Sequence, residues 1–94
     1  MELFWTLEAI DDRDNIYDYI EADNPGAALD LDETFEQKAS LLLSHPNLGR
    51  LGRIAGTREL VVHQNYMLIY DVADGLVRVL NVVHAARRWP PIGE

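Results

Sequence analysis

The residues best suited to chemistry in this chain lie near its C-terminus, in the stretch NVVHAARRWPP. A run of apolar residues ends at His84, and two arginines and a tryptophan follow within five positions. Histidine can transfer protons near neutral pH, and arginine can hold a phosphate through two parallel hydrogen bonds. Arg58 begins a predicted strand of the same sheet. His84 with Arg58 and Arg87 or Arg88 is therefore a chemically adequate set for metal-free cleavage of RNA.

The same residues also have structural interpretations. A histidine at the end of a strand commonly bonds a loop carbonyl or stays in solvent. Arg87 and Arg88 can tether the tail to carboxylates of acidic helices, and an exposed cross-strand pair at Arg58 would contribute only ~0.2–1 kcal/mol. Trp89 fits a packing anchor better than a base-stacking platform. The sequence leaves both interpretations of His84 open.

Neither a metal site nor a cofactor is predicted. The three histidines are scattered, without the short ligand spacings of a zinc site, and the chain has no cysteine. The acidic run from Asp11 to Asp18 lacks the glycine turn and terminal glutamate of a calcium loop. We interpret this run as a solvated helix face, and His45 and His63, in predicted loops, as surface residues.

The composition fits one small domain that spans residues 1–94. Apolar residues make up 48% of the chain and charged residues 26%, which is typical of globular proteins. The lack of cysteine favours a reducing cytoplasm. The apolar N-terminal run is too short for a signal peptide and lacks a basic lead, and no run of 18 apolar residues could span a membrane.

The net charge of −8 is unevenly distributed along the chain. Residues 1–48 carry twelve acidic side chains and two basic ones, a net of −10, whereas residues 49–94 carry six arginines and four acidic side chains, a net of +2. Overall acidity argues against a polyanionic partner, but the argument is weaker for the C-terminal half. Acidic helices are also often just solvated faces that maintain solubility.

The first half of the chain is predicted to form a strand and a helical hairpin. Residues 2–5 fit a short strand, and Thr6 is a suitable N-cap for a helix from Leu7 to about Ala22. That helix has apolar residues at Ala9, Ile10, Ile16, Tyr17 and Ile20. Asn24 and Pro25 suit the start of a second helix that ends near Ser44. Its apolar stripe comprises Ala28, Leu31, Phe35, Ala39 and Leu42.

The second half is predicted to form a loop and three strands. The loop is HPNLGRLGRIAG, and the strands are TRELVV, YMLIYDV and LVRVLNVV, which are rich in β-branched and aromatic residues. Asp74-Gly75 predicts a tight hairpin turn between the last two strands. The fold class is thus α+β, with the helical hairpin on one face of a largely antiparallel sheet. We expect the other face to stay open for a partner.

In this order of elements the chain resembles the RelE/ParE superfamily of bacterial toxins. The resemblance covers nearly the whole chain: the helix pair EAIDDRDNIYDYIEADNPGAAL, the loop HPNLGRLGR, GTREL followed by YMLIYDV, and the closing VLNVVHAARRWP. It implies a toxin of a type II toxin–antitoxin module, neutralised by a cognate antitoxin. It also implies a toxin–antitoxin hetero-oligomer, in which an extended or helical antitoxin segment covers the working surface.

The resemblance leaves the mechanism open, because RelE-like members cut messenger RNA on the ribosome and ParE-like members bind DNA gyrase. His84 falls where YafQ-like nucleases have a catalytic histidine, and Arg87 and Arg88 lie near the position of a RelE-like arginine. Against a nuclease, Met67 stands where RelE-like enzymes commonly carry an arginine. Lys38 is moreover the only lysine, so the lysine-rich surface that grips ribosomal RNA is missing.

We therefore favour a ParE-like gyrase inhibitor, with an mRNA interferase and a non-toxic antitoxin-binding relic as alternatives. The interferase would use His84 as acid or base, with Arg58 and Arg87 on the phosphate. For either active toxin we expect the antitoxin to cover part of the sheet and the region from Arg58 to Arg88. The predicted target- or antitoxin-binding residues are Arg50, Arg53, Arg58, His84, Arg87, Arg88 and Trp89.

Overall fold

The computed structural model of the protein describes residues 1–86 and 89–90. Two helices and five strands follow one another in the order β1, α1, α2, β2, β3, β4, β5. Their bounds are β1 Glu2–Trp5, α1 Leu7–Glu21, α2 Pro25–Leu41, β2 Arg50–Leu51, β3 Arg58–His63, β4 Tyr66–Ala73 and β5 Leu76–His84. No helix in the described ranges has the length and apolar character needed to cross a membrane.

Both helices begin where the sequence predicts. Thr6 Oγ1 accepts a hydrogen bond from the N–H of Ala9 over 3.1 Å, and Asn24 Oδ1 accepts one from the N–H of Ala27 over 3.1 Å. Each cap satisfies a backbone N–H that has no partner within the helix. The helices end at Glu21 and Leu41, slightly earlier than predicted.

The apolar stripe of α2 is confirmed in full. Every member is buried: Ala28, Leu31, Phe35, Ala39 and Leu42. In α1, Ala9 is buried and Ile16 and Ile20 pack against the core, but Ile10 is 42% exposed. The buried stripe of this helix is therefore narrower than the set of apolar residues in its sequence pattern.

Arg13 fixes the two helices to each other and to β1. Its guanidinium donates to both carboxylate oxygens of Asp32 over 3.0 and 2.9 Å and to Glu36 over 3.0 Å. It also lies 4.4 Å from the ring centroid of Trp5. Burial lowers the pKa of Arg13, but hydrogen bonds to the two carboxylates outweigh burial, and the net pKa is raised. Arg13 thus links α1 to α2 and β1 within the acidic half of the chain.

The five strands form one sheet in the order β1-β5-β4-β3-β2. The three long strands form the predicted antiparallel meander, whereas β1 pairs in parallel with β5, from Glu2 opposite Leu76 to Trp5 opposite Val79. The turn between β4 and β5 is the predicted one, with positive φ at Asp74 (53°) and Gly75 (75°).

The short edge strand β2 lies within the segment that was predicted to be a loop. Arg50 and Leu51 pair with Glu59 and Arg58 at the edge of the sheet. Two residues are too few to produce a periodic pattern, so sequence reasoning could not detect them.

The core lies between the helices and one face of the sheet. Phe35 of α2 meets Tyr66 of β4 edge to face, with ring centroids 5.8 Å apart, and Leu68 and Tyr70 continue the same face of β4. Side chains from β3 and β5 complete this cluster, namely Leu60, Val62, Val77, Val79 and Val82. Burial of this shared apolar surface is what holds the hairpin on the sheet.

The prediction that the opposite face of the sheet stays open is wrong at its centre. Met67 and Ile69 point away from the helices, yet each is only 1% exposed. Arg53, which follows β2, donates from Nη1 to the carbonyl of Trp89, which follows β5, over 2.9 Å. Because β2 and β5 flank β3 and β4 in the strand order, this contact joins residues from the two sides of that strand pair. Side chains nearer the edges of this face remain exposed, namely Phe4 (51%) and Val61 (54%).

Candidate functional site

His84 is the last residue of β5, where it faces the helix side of the sheet. Its ring packs against Tyr66, directly opposite on β4, with centroids 5.1 Å apart. Its Nδ1 accepts a hydrogen bond from the N–H of Ala86 over 3.1 Å. This bond places the proton of the neutral ring on Nε2. His84 thus caps the turn that follows the strand, but its partner is a backbone N–H and not the loop carbonyl of the structural interpretation. Its Nε2 has no hydrogen-bond partner among the described residues.

A cleft of about 810 Å³ opens beside His84. One wall is formed by Asp12, Asn15, Ile16 and Tyr19 of α1, and the other by residues 81–84 of β5, with Tyr66, Ala86 and Trp89 at its end. Sequence reasoning missed the α1 wall, since its members looked like an ordinary solvated helix face. The cleft mixes apolar and polar side chains and is large enough for several residues of a partner.

Asp12 fixes one end of this cleft. Its Oδ2 accepts hydrogen bonds from the N–H of Val82 over 2.9 Å and from Nδ2 of Asn81 over 3.1 Å. A carboxylate thus satisfies a backbone donor of β5 at a point where no described strand covers the outer edge of β5. Asp12 was predicted to be a solvated acidic residue, and the contact has no signature in the sequence because it joins positions 70 residues apart.

Arg58 is not brought together with His84. Arg58 lies opposite Tyr70 of β4, whereas His84 lies opposite Tyr66, four residues along the same strand. Four residues of strand span roughly 13 Å, and β3 and β5 lie about 10 Å apart on either side of β4. Arg58 Nη1 instead donates to the carbonyl of Gly49 over 2.7 Å. The proximity that a shared phosphate site requires is therefore not present.

Arg50 and Arg53 surround a buried carboxylate. Glu59 is only 2% exposed and accepts hydrogen bonds from Arg50 Nη2 over 3.1 Å and from the backbone N–H of Arg53 over 3.0 Å. The guanidinium of Arg53 lies 3.8 Å from the same carboxylate. Half of each arginine side chain stays exposed, but much of their charge is balanced locally. Because Glu59 balances their charge, Arg50 and Arg53 are less available to bind a phosphate group.

Trp89 lies between the cleft and the segment that follows β2. It is partly buried, it lines the end of the cleft, and its carbonyl is held by Arg53. Its indole Nε1 is buried and has no hydrogen-bond acceptor within residues 1–86 and 89–90. The predictions for Arg87 and Arg88 fall outside the described residues.

The remaining histidines stand apart from the cleft. His63 is the last residue of β3 and not a loop residue as predicted, and its Nδ1 accepts a hydrogen bond from the N–H of Asn65 over 3.1 Å. His45 is exposed in the turn after α2. Within residues 1–86 and 89–90, no three histidine, cysteine or acidic side chains are grouped so that they could hold a metal ion.

Comparison with known proteins places this architecture in a family. The family model described as "ParE toxin of type II toxin-antitoxin system, parDE" matches residues 3–89. A putative toxin, Y4kP, of Sinorhizobium fredii is 38% identical over 94% of this chain and 92% of its own length. Toxin RelE2 of Caulobacter vibrioides is 41% identical over 92% of this chain and 97% of its own length.

Solved structures share the fold. The chromosomal ParDE TA system from P. aeruginosa contains a chain that superposes with a TM-score of 0.81 at 24% identity, covering 89% of this chain and 95% of that chain. A YoeB/ParE toxin from Agrobacterium tumefaciens superposes with a TM-score of 0.62 at 20% identity, covering 89% of this chain and 98% of that chain. With a family match across nearly all of its length, this chain belongs to the ParE toxin family and is the toxin of a type II toxin–antitoxin system, with an antitoxin as its partner.

Proposed function

We propose that this toxin stops bacterial growth by binding its target, DNA gyrase in the cytoplasm, and not by cleaving RNA. The observation that carries the proposal is the separation of Arg58 and His84, which lie opposite positions four residues apart on β4. RNA cleavage without a metal needs a proton-transfer group and a phosphate-binding cation close enough to act on the same scissile phosphate. Here Arg58 bonds the Gly49 carbonyl, and His84 caps its own turn.

The distribution of charge supports the same conclusion. Ribosomal RNA is recognised mainly through its phosphates, which requires a cluster of free cations. Arg50 and Arg53 share the carboxylate of Glu59, and Arg78 forms two hydrogen bonds with Asp71, which raise its pKa. Lys38, the one lysine of the chain, lies on the acidic helix α2. Much of the positive charge of the described arginines is therefore already paired.

The test uses purified toxin with purified gyrase and relaxed plasmid. We expect the toxin to block ATP-dependent supercoiling, and a pre-formed complex with the antitoxin to leave supercoiling intact. In cells, induction of the toxin alone should stop DNA synthesis before translation and induce a DNA-damage response. Normal supercoiling at a large molar excess of folded toxin would refute gyrase as the target.

The mRNA interferase is the second candidate, because His84 lines the cleft and its Nε2 has no hydrogen-bond partner within the part of the chain that the structure describes. It predicts codon-dependent cuts in translated messages that disappear in His84→Ala. Mapping RNA ends during growth arrest separates the two mechanisms. Harmless expression without antitoxin would instead identify the chain as a relic that retains only antitoxin binding.

A further inference from the structure

The outer side of β1 is an open edge of the sheet. Within the described residues β1 pairs with β5 alone, and no strand lies on its other side. The N–H groups of Glu2 and Thr6 donate towards β5 and the turn before it, over 2.9 and 3.0 Å. Because backbone groups alternate in direction along a strand, the N–H and carbonyl groups of Leu3 and Trp5 point to the open side.

The two edge strands of the sheet are protected to different degrees. β2, at the other edge, has only two residues, and one of them is the charged Arg50. Short length and charge are means by which natural sheets avoid pairing edge to edge. β1 has four residues, ELFW, which contain neither proline nor lysine and pair with β5 in unbroken register. The edge of β1 therefore remains competent to pair with another strand.

Exposed apolar side chains surround this edge. They occur before, within and directly after the strand, at Met1 (57%), Phe4 (51%) and Leu7 (75%). The first helix does not cover them, because Asp12 accepts a hydrogen bond from the N–H of Val82 and α1 thus turns towards β5. An open strand edge with exposed apolar side chains along it is typical of an interaction surface.

We propose that the partner of this edge is a second copy of the chain, whose β1 pairs with β1 in antiparallel orientation. A two-fold axis at Phe4 places Leu3 of each copy opposite Trp5 of the other, so every outward-pointing residue of the strand meets another. Each of these two pairs exchanges two backbone hydrogen bonds, which gives four across the interface. The two sheets then form one continuous sheet of ten strands.

The same register also matches the exposed side chains. Phe4 lies directly opposite Phe4 of the second copy, and Met1 lies opposite Leu7, so each exposed apolar side chain has an apolar partner. Glu2 lies opposite Thr6, which is uncharged. The two Glu2 residues are separated by roughly 13 Å along the strands, beyond the screening length of about 8 Å at physiological salt. Self-pairing is therefore compatible with the acidity of the chain.

The contact area is small, so we expect a weak dimer. Four strand residues and the side chains beside them bury less than about 1,200 Å² in total, the low end for specific interfaces. A dissociation constant on the order of 10–100 µM is expected for such an interface. The inference rests on the geometry of β1 and is independent of the target of the toxin.

The first test compares Phe4→Glu with Val61→Glu by sedimentation velocity, at protein concentrations from about 1 to 500 µM. Val61 is the matched control, because it is 54% exposed and lies on β3, two strands away from β1. The parent protein should shift from monomer to dimer over this range. We expect Phe4→Glu to weaken dimerisation at least about tenfold, because two facing carboxylates replace an aromatic pair, and Val61→Glu to leave it within about twofold.

Disulfide trapping tests the register itself. The chain has no cysteine, so Phe4→Cys introduces a single thiol. Opposite residues of a non-hydrogen-bonded pair have Cα atoms about 4.5 Å apart, a separation that a disulfide can bridge. Under mild oxidation Phe4→Cys should yield at least about tenfold more covalent dimer than Val61→Cys.

Several results would overturn the proposal. They are a parent protein that stays monomeric throughout the concentration range, a dimer that a normally melting Phe4→Glu protein forms equally well, and equal cross-linking of the two cysteine variants. Slower hydrogen exchange at Leu3 and Trp5 only after the antitoxin is added would also contradict it, because the antitoxin would then be the occupant of the edge. Gyrase inhibition is assayed separately, so failure of that assay leaves this inference standing, and the reverse also holds.

Discussion

The hydroxyl group of Tyr70 accepts a hydrogen bond from the backbone N–H of Gly49 over 2.9 Å and donates its own proton to the carbonyl of Pro46 over 2.7 Å. Tyr70 is fully buried in β4, so this single side chain ties the loop after α2 to the centre of the sheet. A Cβ added at Gly49 would lie 2.8 Å from the Tyr70 ring and from the carbonyl oxygen of Glu59. Glycine is needed at position 49 because any larger side chain would clash with the Tyr70 ring and the Glu59 carbonyl oxygen.

Gly49→Ala should therefore lower the free energy of unfolding by about 1–3 kcal/mol, the usual cost of overpacking. Gly26→Ala is the matched control, because the nearest atom to its added Cβ is a side-chain oxygen at 3.6 Å and the residue lies in the first turn of α2. Urea denaturation should show Gly26→Ala unchanged or up to about 1 kcal/mol more stable. Equal destabilisation of both variants would contradict this account of Gly49.

Tyr70→Phe tests the hydroxyl group alone. The change removes the donor to Pro46 and leaves the N–H of Gly49 without its acceptor, so we expect a loss of about 1–3 kcal/mol in the free energy of unfolding. Tyr19→Phe, at an exposed ring, should stay within about 0.5 kcal/mol of the parent protein. A Tyr70→Phe protein as stable as the parent would show that water replaces the hydroxyl group.

Glu59→Ala should destabilise the protein because the carboxylate accepts hydrogen bonds from Arg50 and from the backbone of Arg53 while nearly fully buried. We expect a decrease of about 1–3 kcal/mol, moderated by the exposure of both arginine side chains. The control is Glu33→Ala, an exposed acidic residue of α2. Thermal melting at two salt concentrations would measure both, and a stable Glu59→Ala protein would refute the role assigned to this carboxylate.

Arg13→Lys should destabilise the protein although it conserves the positive charge. Lysine keeps the charge but cannot bond both oxygens of Asp32 while stacking on Trp5. We expect Arg13→Lys to lose about 1–2 kcal/mol of stability, and Arg13→Ala to lose more, by urea denaturation. If Arg13→Lys is as stable as the parent protein, a positive charge alone is sufficient for stability at this position.

His84→Ala should retain growth inhibition if the toxin acts by binding gyrase away from this side chain. The variant loses one hydrogen bond and one ring contact, so a stability loss of about 1–2 kcal/mol is expected, without loss of the fold. Growth curves after induction, with soluble protein quantified in parallel, give the answer. Abolished toxicity in a folded, fully expressed variant would favour the nuclease.

Much of the fold follows from local patterns in the sequence. The caps at Thr6 and Asn24, the stripe of α2 and the turn at Asp74-Gly75 are each determined by neighbouring residues, and each is confirmed. The candidate site was harder to predict because its contacts join distant positions. Asp12 with Val82, and Arg53 with Trp89, depend on how strands and loops assemble, which no short window of sequence encodes.

The parallel pairing of β1 with β5 has a consequence for how the toxin is made. Among the described residues, residues 2–5 have a single strand partner, residues 76–79, so the sheet cannot be completed until β5 is available. Contacts between distant positions form late, since the loop between them must close first. During synthesis the first strand therefore waits without its described partner until β5 has left the ribosome, so the complete sheet forms only at a late stage of synthesis.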